Sequence, residues 1–281
     1  MRGGFRDWMR LARVEHAAMV IAAVIISEAL AAKYAGIAFA ITAGIIYSAL
    51  GPFALTIGAF ILNDYFGYET DKANRRKDRP IVAGVIARRD ALKAAYVFYA
   101  IGLALIFFVN FYCFIVGLIF AILSATYDNY LKKLPLLGNM YIASSMSASF
   151  IYGNFAVTYN LQEIILLFVA ISFLAGVGRE LIITLRDVEG DRKVGGKTLP
   201  MVIGNNSTIA LSAALFLIAM IISWVPMEGN YYSAYAILIY LNNFLLAFTV
   251  YSAMDGEFGN ARNASLLALA VGLAAFGTLA L

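Results

Sequence analysis

Long apolar stretches separated by polar breaks account for most of the chain. A helix that crosses a bilayer needs about 17–25 mainly apolar residues, and nine stretches reach that length. They are residues 14–33, 38–62, 91–109, 111–127, 138–158, 161–178, 207–226, 231–252 and 262–280. Most breaks between them are short, but residues 63–90 and 179–206 form two long ones. The pattern predicts an all-α, polytopic membrane fold with nine transmembrane helices.

The positive charges agree with this span count. With nine spans, 20 of the 21 Lys and Arg residues fall on one side of the membrane, and only Lys33 falls on the other. Lys and Arg are concentrated in the cytoplasmic loops of membrane proteins. An error of one span in the middle of the chain would scatter these residues over both faces. We therefore expect a multi-pass membrane protein with both long breaks on the cytoplasmic face.

Composition narrows the functional classes. The chain is 62% hydrophobic with a mean hydropathy of +0.81, and 14% of its residues are charged. Soluble domains carry about 25% charged residues. The single cysteine, Cys113, excludes an internal disulfide, and the single histidine, His16, excludes a multi-histidine metal site. The lipid bilayer is an expected partner, and nucleic acid is not.

The first long break opens with a polar segment, Asn63–Pro80, in which acids precede bases. Asp64 and Asp71 are seven residues apart, which places them on one face of a continuous helix. Arg75 and Arg79 follow within reach of the same space. Carboxylates are typical ligands of Mg²⁺, and carboxylates beside basic residues indicate a cation together with a phosphate.

The second long break repeats this order. Asp187 and Asp191 are four residues apart, bases including Lys193 follow them, and Pro200 precedes a Val-rich entry, as in the first break. Four spans separate the two breaks, so both lie on one membrane face. The repeat predicts a single domain, residues 1–281, made of two four-helix halves plus a ninth helix around a central cavity.

Four carboxylates that converge near the membrane surface require cations. Two like charges about 4 Å apart repel each other by about 4 kcal/mol at an effective dielectric near 20. Two Mg²⁺ ions, one at each motif, could bridge a diphosphate and favour its loss as a leaving group. A long isoprenyl chain would suit the apolar helices beyond. Tyr127 is a candidate to stabilise an allylic carbocation, with Tyr68 and Tyr130 as alternatives.

The paired motifs resemble those of the UbiA superfamily of intramembrane prenyltransferases, and the resemblance covers nearly the whole chain. It rests on Asn63, Asp64, Gly67, Asp71, Asp187 and Asp191, and on the segment Lys132–Asn139 between the fourth and fifth spans. It implies Mg²⁺-dependent transfer of a prenyl group from a prenyl diphosphate to a lipophilic acceptor, with the two long breaks as active-site loops. The implied metal ligands are Asn63, Asp64, Asp71, Asp187 and Asp191, and the four aspartates are the implied catalytic residues.

Gly67 departs from the family pattern, which usually has an aspartate at this position. Glycine removes one ligand and costs about 1 kcal/mol of helix propensity in a helix interior. We expect either that Asn63 or water completes the coordination, or that Asp71 and Glu69 shift inward.

Further side chains are expected to contact the substrates. The predicted diphosphate contacts, besides Asn63, are Arg75, Arg79, Lys132, Arg179 and Lys193; for Lys132 and Arg179, snorkelling to the interface is the alternative. The Glu-His pair that ends at His16 resembles that of family members which prenylate aromatic acids. His16 is therefore expected near the acceptor, with an ordinary interfacial helix start as the alternative. Asn154 is expected to line the acceptor pocket.

Three functions remain open. His16 favours an aromatic quinone precursor as the acceptor. The alternative is an ether-lipid synthase that alkylates the hydroxyl of a geranylgeranylglyceryl phosphate, although family members of that type carry a Lys-Asp pair where this chain has Ile183 and Thr184. A cation transporter is the alternative from another class, but its acids would lie at mid-membrane. A CDP-alcohol phosphotransferase would need one compact motif, whereas the acids here belong to two distant breaks.

Overall fold

The computed structural model describes residues 3–40, 42–127, 130–131, 134–193, 195–227, 231 and 233–281. Within these residues the regular structure is helical, which confirms the predicted all-α class. The helices are α1 Phe5–Ala12, α2 Val14–Ala35, α3 Ala43–Phe66, α4 Tyr68–Ala73, α5 Arg88–Phe107, α6 Phe111–Tyr127, α7 Leu137–Val157, α8 Glu163–Lys193, α9 Leu199–Ile203, α10 Asn205–Ile222, α11 Ala234–Met254 and α12 Phe258–Ala280.

Nine of these helices in the described part of the chain are long, namely all except α1, α4 and α9. Seven of the nine are long and apolar enough to cross a membrane. The other two differ in kind: α6 is apolar but has 17 residues, and α7 has 21 residues with four serines and two asparagines. The chain is an integral, multi-pass membrane protein with a long helix at each predicted span. Seven of these helices meet the criteria of both length and hydropathy for crossing a membrane.

The largest difference from the predicted spans occurs at α8. The sixth span was expected to end at residue 178, but α8 continues to Lys193. Leu181, Ile182 and Leu185 keep one face of this extension buried, so the helix leaves the apolar region without unwinding. The expectation of an active-site loop over residues 179–206 is therefore wrong for residues 179–193, and the second aspartate motif lies on a helix.

The helices close a ring around a central cavity. α2 packs against α3 and α7, α7 packs against α8, and α12 packs against both α2 and α8. Outside this ring, α5 covers α3, α10 covers α8, and α11 covers α12. The cavity has a volume of about 730 Å³ and is lined by helices of both halves. This agrees with the predicted central cavity.

Small residues allow α3 and α5 to approach closely. A Cβ built at Gly51 would lie 2.5 Å from Ile106 Cγ1, and one at Gly102 would lie 2.9 Å from the Gly51 carbonyl oxygen. Membrane helices use such small residues because close packing, rather than burial from water, drives their association. The contact holds α5 tightly against α3, the helix that carries the start of the first aspartate motif.

Candidate active site

The first aspartate motif is divided between two helices. α3 ends and α4 begins on either side of Gly67, so Asp64 and Asp71 do not lie on one continuous helix as their spacing predicts. A Cβ at Gly67 would lie 2.7 Å from the Asn63 carbonyl oxygen. An aspartate at this position would therefore force the backbone to shift. Because Gly67 is at a helix junction, it does not carry the propensity cost expected of an interior glycine.

Asp64 is buried between two arginines. Arg13 Nη2 and Arg79 Nη1 donate to its Oδ1 at 2.5 and 2.9 Å. Its Oδ2 is buried and has no hydrogen-bond partner among the described residues. Arg79 Nε also lies 3.6 Å from Asp71 Oδ2. Arg79 therefore joins the two acids that the helix break separates.

Arg13 is a site residue for which the sequence predicted only a position on the cytoplasmic face. It joins α1 to α2 in a left-handed backbone conformation with a φ of 46°. Its guanidinium carbon lies 4.6 Å from the centre of the Phe60 ring, and its Nη2 lies 3.4 Å from Asn63 Oδ1. The sequence signal that could have identified Arg13 is its position at the start of the first span, three residues before His16.

The loop after α4 adds further guanidinium groups to the cavity mouth. Arg76 Nη2 lies 2.9 Å from Asp78 Oδ2. This hydrogen-bonded pair raises the pKa of Arg76 and lowers the pKa of Asp78 to about 2. Burial lowers the pKa of Arg79, as does the neighbouring charge of Arg13, while Asp64 opposes both. Arginine stays protonated at neutral pH, so the mouth keeps its positive charges.

The second aspartate motif is held by contacts within α8 and just after it. Arg186 donates from Nε and Nη2 to the Asp187 carboxylate at 3.0 and 3.1 Å. Asp191 is buried, and its carbonyl oxygen accepts a hydrogen bond from the Gly196 N–H at 2.8 Å. A Cβ at Gly196 would lie 2.9 Å from that oxygen. The chain thus turns closely back over Asp191 where α8 ends.

The two motifs touch each other at one close contact. Asn74, which ends α4, lies against Gly190 of α8. A Cβ built at Gly190 would lie 1.9 Å from Asn74 Oδ1 and 2.0 Å from both Cγ and Nδ2. A side chain at position 190 would have to displace the Asn74 side chain, so glycine allows Asn74 to pack directly on α8.

Gly190→Ala should therefore reduce activity by displacing the Asn74 side chain from α8 and disturbing the packing of α4 there. A displacement of about 1 Å in an active site can cost about a hundredfold in rate, so we expect a loss of about 10- to 100-fold in kcat/KM. The double variant Gly190→Ala with Asn74→Ala should recover to the activity of Asn74→Ala alone, because the clash is gone.

Gly259→Ala is the matched control, since no atom lies within 4 Å of a Cβ at that helical position. It should retain the activity of the wild-type protein. The positioning role of Gly190 would be ruled out if Gly190→Ala were fully active, or if the double variant were as impaired as Gly190→Ala.

The cavity brings most of the predicted site residues together. Those that line it are His16, Asn63, Asp71, Arg79, Tyr127, Arg179, Asp187 and Asp191. Asp64 does not line it, because it is buried behind Arg13 and Arg79. His16 packs edge-on against Phe60 at 5.6 Å, with Glu15 Oε1 3.4 Å from its Nδ1 but outside hydrogen-bonding geometry. Arg179 is buried and donates to Glu180 Oε1 at 2.7 Å.

The structure places other predicted contacts elsewhere. Arg75 and Lys193 are exposed and do not line the cavity. Asn154 is buried at the end of α7, where its amide donates to the Asn160 carbonyl and accepts from the Gln162 N–H. This corrects the prediction that Asn154 lines the acceptor pocket, because the loop between α7 and α8 uses its polar atoms. Lys132 lies outside the described residues.

One wall of the cavity is aromatic. The Tyr127 and Tyr141 rings lie 5.2 Å apart, and Phe120 stacks on Tyr141 at 6.5 Å. Of the three tyrosine candidates, Tyr127 lines the cavity, whereas Tyr68 faces the Arg88 guanidinium and Tyr130 is exposed. Apolar residues of α5, α6 and α7 continue this wall inward, so the site joins a charged mouth to an apolar interior.

The oxygen donors at the mouth have the chemistry that Mg²⁺ prefers. Carboxylates of Asp71, Asp187 and Asp191 and the side chain of Asn63 line the cavity, and Asp64 Oδ2 is buried without a partner among the described residues. Among the described residues, no group of three His, Cys, Asp or Glu side chains lies close enough together to hold a metal ion. The donor types fit the ion, and the donors are divided between the two motifs.

Fold and cavity define a multi-pass membrane protein whose site joins paired acidic motifs to an apolar, lipid-sized space. The model of the UbiA prenyltransferase family matches residues 17–268. The chain belongs to the UbiA prenyltransferase family, which confirms the resemblance drawn from its motifs and its assignment to the prenyltransferases.

Several archaeal proteins are similar in sequence. The digeranylgeranylglyceryl phosphate synthase of Pyrococcus furiosus is 37% identical over 184 residues, or 65% of this chain and 65% of that one. The match therefore spans just under two thirds of that relative's length. The enzyme of the same name from Archaeoglobus fulgidus is 31% identical over 231 residues, or 79% of this chain and 78% of that one. That of Methanopyrus kandleri is 28% identical over 96% of this chain and 98% of its own.

Solved structures share the fold. One described as digeranylgeranylglyceryl phosphate synthase in membranes has a TM-score of 0.72 and 24% identity, and the match covers 98% of both chains. A UbiA homologue from Archaeoglobus fulgidus bound to GPP and Mg²⁺ has a TM-score of 0.68 and 20% identity, and the match covers 96% of this chain and 99% of that one. At these identities the structures show the fold alone.

Proposed function

We propose that this protein transfers a prenyl group from a prenyl diphosphate to the hydroxyl of a glyceryl phosphate ether lipid, with Mg²⁺. The observation that carries the proposal is the cavity, which has acids of both motifs and seven arginines at its mouth and an apolar interior. A diphosphate with a long isoprenyl chain matches this division of polarity. The UbiA homologue bound to GPP and Mg²⁺ supports both the donor and the ion.

The chain's own groups bind the leaving group. Arg76, Arg79 and Arg179 line the mouth and would donate to diphosphate oxygens, while Asn63 and the aspartates would hold Mg²⁺. Bound Mg²⁺ would stabilise the negative charge that develops on the diphosphate. The number of ions, which we expect to be two, is part of the proposal.

The reaction forms one carbon–oxygen bond and breaks another. The acceptor hydroxyl attacks the allylic C1 of the prenyl group, and the C1–oxygen bond to the diphosphate breaks with its electron pair leaving on the diphosphate. The hydroxyl then loses its proton. The faces of Tyr127, Tyr141 and Phe120 would stabilise positive charge on the allylic carbon.

The comparisons favour an ether-lipid acceptor over the aromatic acceptor expected from His16. The three similar synthases are all named for digeranylgeranylglyceryl phosphate. Ile183 and Thr184, which replace the Lys-Asp pair of ether-lipid family members, remain a departure; in this chain Thr184 Oγ1 accepts a hydrogen bond from Asn139 Nδ2 at 2.8 Å. Family membership also favours an enzyme over the transporter alternative.

We further propose that the cavity mouth faces the cytoplasm. Both motifs and the arginines at the mouth lie at the end of the bundle to which the span analysis assigns 20 of 21 Lys and Arg residues. This bias is typical of cytoplasmic loops.

A competition between acceptors tests the proposed function. Purified protein in lipid nanodiscs would receive Mg²⁺, radiolabelled geranylgeranyl diphosphate and equal amounts of geranylgeranylglyceryl phosphate and 4-hydroxybenzoate. We expect the label to appear in the glyceryl phosphate lipid. Label in the aromatic acid instead would establish the other acceptor, and label in neither would contradict both.

A further inference from the structure

One face of α12 lines the cavity from its mouth to its inner end. The residues that α12 contributes to this face are Arg262, Leu266, Leu269, Gly272, Leu273 and Phe276. Their spacing of three and four residues places them in one stripe along a helix. The stripe begins with a cation at the mouth and continues with apolar side chains. A wall of this kind matches an amphiphile with an anionic head and a long chain.

Arg262 differs from the other arginines that line the mouth. Arg13 and Arg79 are paired with Asp64, Arg76 with Asp78, Arg186 with Asp187 and Arg179 with Glu180. Arg10 is exposed on α1. Arg262 is half-buried, and among the described residues it forms no ion pair; its Nη1 lies 3.4 Å from the neutral Asn263 Oδ1.

The largest charge effects on Arg262 come from other arginines. It experiences the positive charges of Arg186, Arg179, Arg76 and Arg79. A half-buried cation among like charges is unfavourable unless an anion approaches it. Arg262 therefore brings to the mouth, beside α12, a positive charge that no ion pair among the described residues matches.

The two walls of the cavity differ in a way that suits two different substrates. α6 and α7 carry the aromatic groups Phe120, Tyr127 and Tyr141, which suit the allylic end of the prenyl donor. The α12 stripe is aliphatic next to its arginine. Two lipid chains would then lie on opposite walls, with their head groups on different arginines.

We propose that Arg262 binds the phosphate of the acceptor lipid and that the apolar stripe of α12 holds its chain. This rests on the proposed function, because an aromatic acid has no phosphate for Arg262 to bind. In a glyceryl phosphate ether the free hydroxyl is on the carbon next to the one that bears the phosphate. Holding the phosphate at Arg262 therefore places that hydroxyl at the mouth, near the two aspartate motifs.

Arg262→Gln tests the assignment through the two substrates separately. Initial rates would be measured against geranylgeranylglyceryl phosphate at saturating prenyl diphosphate, and against the prenyl diphosphate at saturating acceptor. We expect the KM for the acceptor to rise about tenfold or more, as for a lost hydrogen bond to a charged group. The KM for the prenyl diphosphate should change less than about twofold, and Arg262→Lys should be intermediate because it keeps the charge without the guanidinium fork.

A dephosphorylated acceptor separates recognition of the phosphate from a structural effect. Geranylgeranylglycerol, which lacks the phosphate, should be used poorly and equally by the wild-type protein and Arg262→Gln. Arg89→Gln is the matched control, since Arg89 is exposed, does not line the cavity and is assigned to the same membrane face. It should behave as wild type with every substrate. The melting temperature of Arg262→Gln should be close to that of the wild type, because no ion pair is lost.

The outcomes separate the two proposals. If the wild-type protein does not alkylate the glyceryl phosphate at all, the proposed function fails and the assignment of Arg262 fails with it. If the wild-type protein does so and Arg262→Gln leaves the acceptor KM unchanged, raises the KM for the diphosphate, or impairs both acceptors equally, the function stands and Arg262 is not the acceptor phosphate site.

Discussion

Asp191→Asn should abolish prenyl transfer while the protein stays folded. Asparagine keeps the shape of the side chain but removes the negative charge that would hold a cation against the diphosphate. Metal-assisted charge stabilisation contributes several kcal/mol to such reactions, so we expect kcat to fall at least about a hundredfold. Product formation from labelled prenyl diphosphate, measured beside a melting curve, gives both results.

The corresponding change at Asp64 should have a mixed effect. Asp64→Asn also removes the charge that Arg13 and Arg79 share, and breaking a buried ion pair costs about 3–5 kcal/mol. We expect loss of activity together with a lower melting temperature. Asp255→Asn is the control, because Asp255 is exposed and does not line the cavity. Full activity in Asp191→Asn would exclude the assignment of the second motif to the reaction.

Removing divalent cations should stop the reaction in the unmodified protein. The oxygen donors at the mouth suit Mg²⁺, and a diphosphate bound without it would leave its charge only partly matched by arginine. EDTA should reduce the rate to background, and added Mg²⁺ should restore it.

Thermal melting tests, independently of activity, whether Mg²⁺ and the diphosphate bind together. Mg²⁺ together with an unreactive thio-diphosphate analogue should raise the melting temperature more than the two raise it separately, since ligands that bind the folded state stabilise it. Activity that survives complete chelation, or melting shifts that are merely additive, would contradict a shared site for ion and diphosphate.

The features that the sequence predicts well are those set by local pattern. Bilayer length and the positions of positive charge predict nine helical segments, and the structure has long helices at those places. Arg79 was expected within reach of the acids of its polar segment, and the structure places its guanidinium 2.9 Å from Asp64. α8 continues past its predicted end because hydropathy marks only the apolar span, whereas an amphipathic pattern with one buried face lets the helix extend beyond it.

The features that the sequence does not predict depend on contacts between distant segments. Arg13 reaches Asp64 across two helices, and Gly190 meets Asn74 across the two motifs. A spacing rule that assumes one continuous helix also fails at Gly67, where α3 ends and α4 begins. Asn154 looked like a cavity residue because it is polar within an apolar span, but its amide satisfies backbone groups of a loop.

Mg²⁺-dependent transfer of a prenyl group with loss of diphosphate should yield two products in equal amounts. The most direct measurement counts both products from the same reaction in nanodiscs: inorganic diphosphate released and ether lipid formed from geranylgeranylglyceryl phosphate. We predict one diphosphate for each lipid in the wild-type protein, and neither product in Asp191→Asn or after chelation. Diphosphate release without lipid, lipid formation without Mg²⁺, or equal yields from Asp191→Asn would contradict the claim.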